Sequence, residues 1–336
     1  MTDRPTDQPT DQPTDQPAGP STGPVAVVLM AYGTPSDPSE IEAYYTDIRR
    51  GRPPTPEALA DLTARYVAIG GVSPLAELTA AQRHALQRSL DERQPGRFAV
   101  LLGMKHADPK VEVTAADAAA SGAVAIVGLV LAPHYSSYSI GDYLNRCRDG
   151  AGGTIPVIGI DSWATEPAFV DFLADDLAER RNAMRTSTGR DVRVLFTAHS
   201  LPQRIIDSGD PYPDELRSTA AAVAERLEMT EGSDWSIAWQ SAGRTPEPWI
   251  GPDILQVIDE LGAAGDVGGV IVCACGFVAD HLEVLYDLDI EAAARASTAG
   301  LAFDRTASVN GDPAVMAALA DRVVAAVEQP LPPPAP

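Results

Sequence analysis

Apolar residues along this chain fall into short uninterrupted runs, separated by longer stretches of helical period. Val25–Ala31, Phe98–Gly103, Ala123–Leu131, Thr154–Ile160, Val192–Thr197, Ser233–Gln240 and Gly269–Cys275 read as strands, with Asp304–Val309 a short last one. Ser39–Ile48, Pro56–Ile69, Thr79–Gln94, Val111–Ser121, a segment opening at Ser139–Cys147, Pro167–Met184, Tyr212–Leu227, Ile254–Ala263, an acidic segment to about Ala299, and Asp312–Val327 read as helices. Asp312 caps the last of these, with Pro313 in its first position. Strands that are apolar throughout, rather than alternating, belong to parallel sheets covered on both faces. The expected fold class is α/β: two similar domains, 24–160 and 161–329, each on a four-stranded parallel sheet, with a cleft between them.

Ligands in such sheets sit beyond the carboxyl ends of the strands. Those ends carry the polar chemistry in both halves: Tyr32 and Gly33, Lys105 and His106, the run from Pro133 through His134 and Tyr135 to Ser136, His199 and Ser200, Gln240 and Ser241, and His281 and Glu283. In the acidic helix Glu283, Asp287 and Glu291 recur at i, i+4 and i+8, a line of carboxylates about 12 Å long at ~1.5 Å per residue. Such a stripe suits cations or protons moving along it; on spacing alone a solvated acidic face is the plainer reading. His199, His281 and these acids form the one constellation able to bind a divalent metal transiently or accept protons. The cluster Arg49-Arg50-Gly51-Arg52 has the forks to hold a ligand's carboxylates, or is a solvated charge run.

Composition narrows the choice of partner. The formal net charge of −22 over 336 residues argues against nucleic acid and against an anionic membrane surface. Neither a signal peptide nor an apolar run long enough for a membrane anchor is visible, so a reduced, cytoplasmic protein is expected. Residues 1–23, with Thr-Asp-X-Pro repeated four times, and the proline-rich 330–336 are expected to be tails outside the fold. There is no GxGxxG after the first strand, no GxxxxGK[ST], no GxSxG elbow and no HExxH, which removes the common nucleotide, hydrolase and zinc-protease readings.

The motifs together are specific. Met30-Ala-Tyr-Gly-Thr-Pro35, Tyr45-Thr-Asp-Ile-Arg-Arg-Gly-Arg52, Ala68-Ile-Gly-Gly-Val-Ser-Pro-Leu75, Gly103-Met-Lys-His106, Ala132-Pro-His-Tyr-Ser136, Thr197-Ala-His-Ser-Leu-Pro202, Trp239-Gln-Ser-Ala-Gly-Arg-Thr-Pro-Glu-Pro-Trp249 and Gly276-Phe-Val-Ala-Asp-His-Leu-Glu-Val-Leu-Tyr-Asp287 resemble the ferrochelatases. The likeness is greater to the coproporphyrin ferrochelatases of Gram-positive and actinobacterial type. It implies a chelatase-like pair of Rossmann-like domains around a porphyrin cleft, inserting Fe2+ into coproporphyrin III to give coproheme in heme b biosynthesis, with release of two protons.

By the same resemblance His199 and Glu283 are the catalytic pair. His199, Glu283, Asp287, Glu291 and Tyr32 handle the metal, and the acidic helix is expected to contain a widened π turn. Tyr32, Arg49, Arg50, Ser73, Lys105, His134 and Tyr135 are expected to hold the porphyrin. Tyr32 stands where protoporphyrin-type enzymes carry methionine, which favours coproporphyrin. A protoporphyrin IX ferrochelatase, a cobalt chelatase and a non-catalytic tetrapyrrole carrier are the alternatives.

Fe2+ is expected as substrate. Many relatives also bind a [2Fe–2S] cluster through four cysteines, whereas this chain has only Cys147, Cys273 and Cys275, so no cluster is expected. A monomer is expected, with a transient contact to the downstream coproheme decarboxylase.

Overall fold

The computed structural model describes residues 23–243 and 245–328. The two expected tails, but for Gly23, lie outside the described residues. Among the described residues eight strands form two four-stranded sheets, all parallel. The first comprises β1 (Val25–Ala31), β2 (Phe98–Met104), β3 (Ala125–Val130) and β4 (Val157–Ile160), in the order β2-β1-β3-β4. The second comprises β5 (Val192–His199), β6 (Trp235–Gln240), β7 (Gly269–Cys273) and β8 (Ala302–Arg305), in the order β6-β5-β7-β8. The wiring is the same in both halves. In each, the chain leaves the first strand to one side and returns on the other, so a crevice opens beyond the carboxyl ends of β1 and β3, and again beyond β5 and β7.

The period of two along each strand divides the core. In β1, Val25, Val27 and Leu29 face a large core that also takes in Val194 and Phe196 of β5 and Ile271 and Cys273 of β7. Ala26, Val28 and Met30 face a smaller core with Val111, Leu144 and Cys147. Val270 and Val272 face a third, with Leu288 and Ala296 of the acidic helix. Both faces of the central strands are therefore dry, as their unbroken apolar runs require. The closing helix Pro313–Glu328 packs back on helix Leu75–Arg93, where Arg93 Nη2 donates to Asp321 Oδ2 at 2.8 Å. It ties the end of the chain to the first half.

Some boundaries differ from the sequence expectation. Helix Leu75–Arg93 starts a turn before Thr79, because Ser73 Oγ accepts the Leu75 N–H at 3.2 Å and stabilises an earlier entry. β7 ends at Cys273 rather than Cys275, and β8 lies at Ala302–Arg305 rather than 304–309. A helix at Gln203–Asp207, too short to show a period, was not expected. Among the described residues no helix is long and apolar enough to cross a membrane.

Candidate active site

The two crevices face one cleft of about 1290 Å³. Its first wall is set by β1 and the segments after it. Tyr32 follows β1 directly, and its ring lies 4.6 Å from that of His106, which follows β2. His106 Nδ1 donates to Asp47 Oδ2 at 2.7 Å, and Lys110 Nζ reaches the other oxygen of Asp47 at 2.9 Å. Lys105 is paired with Asp142 at 2.8 Å and lies 4.9 Å over the Tyr143 ring. Burial draws its ammonium below the ordinary lysine range, against the pull of Asp142. Burial likewise raises the Tyr32 phenol, with the charge of Glu283 adding to it.

The second wall carries the histidines and acids. His199 ends β5 with Nδ1 at the Ser200 carbonyl. A carbonyl only accepts, so Nδ1 holds the proton and Nε2 is left to take another. His281 repeats this, with Nδ1 donating to the Ala279 carbonyl at 3.0 Å. Glu283 lies between the two imidazoles, Oε1 3.7 Å from His199 Nε2 and Oε2 3.6 Å from His281 Nε2. The loop that carries His281 can lie this close to β5 because position 276 is glycine. A Cβ there would stand 2.3 Å from that of Ala198.

Glu283 opens the acidic helix, in its α-helical turn Leu282–Leu285. A π-helix follows at Asp287–Ala292, in which the Glu291 N–H reaches back five residues to the Tyr286 carbonyl at 2.9 Å, and α-helix resumes at Ala293–Thr298. The expected π turn is present, and Glu283, Asp287 and Glu291 all line the cleft. Among the described residues no three His, Cys, Asp or Glu side chains converge on a point that would hold a metal ion. The acids form a line rather than a closed centre.

The first two acids of that line are driven apart in acidity. Burial acts to raise Glu283, but the electrostatic pull of His199, the hydrogen bond and charge of His281, and Arg65 outweigh it and bring it down to about 2. Burial raises Asp287 and the Glu283 charge raises it further. The Ser241 hydroxyl and Arg65 pull the other way, leaving it at about 6. Burial and neighbouring charge thus hold two carboxyls one helical turn apart at opposite ends of the carboxylate range.

Ten of the eleven expected site residues line the cleft: His199, Glu283, Asp287, Glu291, Tyr32, Arg49, Arg50, Ser73, Lys105 and His134. Tyr135 does not. Adjacent residues of an extended segment point apart, and Tyr135 packs on the first half's smaller core while His134 faces the cleft. His134 is 3% exposed, and burial lowers it to about 3, so it is a neutral imidazole hydrogen-bonded to Thr219 Oγ1 at 2.8 Å. Sequence reasoning missed Arg65, and placed Ser241 at a strand end without giving it a role. Arg65 donates through Nη1 to Asp287 Oδ1 at 3.1 Å and through Nε to Asp61 at 3.2 Å, with its guanidinium 4.7 Å over Tyr286. Ser241 donates to the other oxygen of Asp287 from a left-handed backbone of φ +60° just after β6.

The ferrochelatase family model matches residues 24–327. This chain belongs to the ferrochelatase family. A ferrochelatase from Herpetosiphon aurantiacus is 44% identical over 292 residues, covering 86% of this chain and 94% of that protein. A coproporphyrin III ferrochelatase from Bacillus mycoides is 41% identical over 303 residues, covering 89% of this chain and 96% of that one. Among solved structures, the sirohydrochlorin chelatase SirB from Bacillus subtilis subspecies spizizenii, in complex with cobalt, aligns at TM-score 0.53 and 9% identity, covering 91% of this chain and 97% of that one. At that identity the likeness is one of fold. The family therefore has its chelatase-like architecture here, two similar four-stranded parallel sheets about one cleft.

Proposed function

We propose that this ferrochelatase-family chain inserts Fe2+ into coproporphyrin III, giving Fe-coproporphyrin III (coproheme) in heme b biosynthesis. One dication enters the macrocycle, two pyrrole protons leave, and no electron is transferred. The observation that carries this reading is Glu283 between the Nε2 atoms of His199 and His281 on the wall of a cleft large enough for a tetrapyrrole. Relatives named coproporphyrin III ferrochelatase, about two-fifths identical over most of the chain, support it.

The ring stands between the Tyr32 wall and the His199 wall. His199 Nε2, the unprotonated nitrogen, takes a pyrrole proton. Glu283 remains ionised beside it and stabilises the imidazolium formed. Asp287, near 6, exchanges protons with solvent at neutral pH, and with Glu291 makes the weak oxygen path along which a hydrated cation or a proton passes. Such ligands release what a thiolate site would trap.

Coproporphyrin carries four propionates and protoporphyrin two. Lys105, Lys110 and Arg65 already have carboxylate partners. Arg49 and Arg50 line the cleft, and no carboxylate among the described residues pairs with either: Arg49 Nε meets the Arg52 carbonyl and its guanidinium lies 5.8 Å over Tyr45. Two arginines out of ion-pair contact, Arg50 acting only at longer range on Asp142, favour the more acidic porphyrin. A cytoplasmic monomer, handing coproheme to a decarboxylase through a transient contact, completes the reading.

The test is anaerobic Fe2+ insertion into coproporphyrin III and protoporphyrin IX side by side, followed by loss of porphyrin fluorescence. A higher kcat/KM for coproporphyrin III supports the proposal. Preference for protoporphyrin IX keeps the chemistry and overturns the specificity. Insertion of cobalt alone, or binding without insertion, overturns the iron reaction.

A further inference from the structure

Arg305 closes β8, the outer strand of the second sheet, and does not line the cleft. Its side chain is only 15% exposed. Nε donates to Asp289 Oδ1 at 2.6 Å and Nη2 to Asp289 Oδ2 at 2.9 Å, a two-pronged contact. The same Nη2 lies 3.1 Å from Asp280 Oδ1, and Nη1 donates to the Thr306 carbonyl at 3.1 Å. All three guanidinium nitrogens are engaged. Asp280 is held on its other sides by Ser308 Oγ at 2.9 Å and Asn310 Nδ2 at 3.0 Å, and its N–H donates to Asn310 Oδ1 at 3.0 Å.

The two acids joined by this fork bracket the reacting groups. Asp280 immediately precedes His281 and lies three residues before Glu283. Asp289 lies inside the π-helix, two residues past Asp287. Two residues correspond to about 200° round a helix axis, so Asp289 is on the back of the helix when Asp287 is on the front. A π segment is a rare, locally widened turn that needs an external hold. Asp287 and Glu291, four residues apart, share a face, so a rotation of this segment about its axis would carry both carboxylates away from the cleft together, and a contact on the opposite face fixes their bearing. An exposed single-point ion pair would contribute little here, whereas a part-buried bidentate fork fixes both distance and orientation.

We propose that Arg305 is a positioning residue for metal insertion: closed on Asp280 and Asp289, it sets the angle at which the π-helix presents Asp287 and Glu291 to the cleft. This rests on the insertion reading above.

The test uses the full chain with Arg305→Lys, Asp289→Asn and the double variant. It measures steady-state insertion with Fe2+ and coproporphyrin III each varied, porphyrin Kd by fluorescence quenching, and thermal melting. Each single variant is expected to lose about tenfold or more in kcat/KM for Fe2+, with porphyrin Kd within about threefold of wild type. The double variant is expected to be no worse than the worse single, because both break one contact. Losses that multiply in the double variant, Fe2+ kinetics within about twofold of wild type, or equal losses for porphyrin and iron would overturn the proposal. If R305K does not fold, D289N carries the same comparison, since it removes the fork's target and leaves Arg305 on Asp280. Wild-type protein that inserts no iron would sink the functional reading itself and this inference with it; wild-type activity with unaffected variants would sink only this inference.

Discussion

Arg65 and Asp287 are joined by a 3.1 Å ion pair across the cleft, from the helix Pro56–Ala68 of the first half to the π-helix of the second. The arginine is held on two further sides, by Asp61 and the face of Tyr286, so its charge stays fixed beside the acidic line. It lowers Asp287 against burial and against the repulsion of Glu283, and the balance leaves Asp287 at about 6. Removing the cation moves Asp287 upward. If ionised Asp287 is needed to receive protons, Arg65→Gln shifts the acidic limb of the kcat–pH profile to higher pH by about one unit. The variant then loses more activity at pH 6 than at pH 8. A limb that stays in place in R65Q would assign it to another group.

His199 and Glu283 separate base from counter-charge. His199→Ala removes the proton acceptor and is expected to lower kcat by about a hundredfold or more, while porphyrin affinity stays within a few-fold, because the cleft walls are otherwise intact. Glu283→Gln keeps the shape but removes the charge that stabilises the imidazolium, and should also impair insertion more than thermal stability. Single-turnover insertion beside a quenching titration reads both quantities; near-wild-type kcat in H199A would remove His199 from its role.

Much of this site was legible because parallel sheets put their chemistry in one place. Continuous apolar runs such as Val25–Ala31 and Gly269–Cys273 betrayed strands buried on both faces, and the polar residues just past them had to gather at the carboxyl edge. The 3.6 period put Glu283, Asp287 and Glu291 on one face, and the widened turn kept them there. What the pattern did not carry was pairing at long range. Arg65 and Asp287 are 222 residues apart, and nothing local to either reports the other. Ser241 reaches Asp287 through a left-handed backbone that a serine rarely adopts, which has no signature in composition. Tyr135 stays off the cleft wall although its neighbour His134 is on it, because the alternation of an extended segment sends the next side chain the other way.

Arg49 and Arg50 bear on substrate choice. Both line the cleft, neither in ion-pair contact with a carboxylate among the described residues, and Arg50 is held at φ +57°, which turns the chain sharply after helix Ile41–Ile48. Replacing both with glutamine keeps a polar N–H donor on a shorter side chain and removes two positive charges. The expected result is a rise in KM for coproporphyrin III of about tenfold or more, a smaller rise for protoporphyrin IX with its two propionates, and little change in kcat. Equal effects on the two porphyrins would place the arginines outside propionate recognition.

Asp287 also makes stability depend on pH, and the sign can be worked out. Its carboxyl is raised from an ordinary value near 3.8 to about 6 in the folded chain. The native state therefore binds the proton more tightly than the unfolded chain. The resulting stabilisation is complete below about pH 4 and is lost as pH rises through 6, on the order of 3 kcal/mol for two pH units. Glu283 works in the opposite sense: lowered to about 2, it stabilises the fold above its ordinary 4.5 and loses that contribution only in acid below it. Between pH 4.5 and 7 His134, lowered to about 3 by burial, acts in the opposite sense to Asp287, so the Asp287 effect is read from the difference between variant and wild type. Asp287→Asn cannot ionise, yet it keeps an oxygen for Arg65 or Ser241. Its melting temperature relative to wild type should accordingly rise from pH 4.5 to pH 7.5, even as insertion activity falls. A Tm difference that stays flat across that range would mean that Asp287 is ionised throughout, and that the proton traffic along the helix does not pass through it.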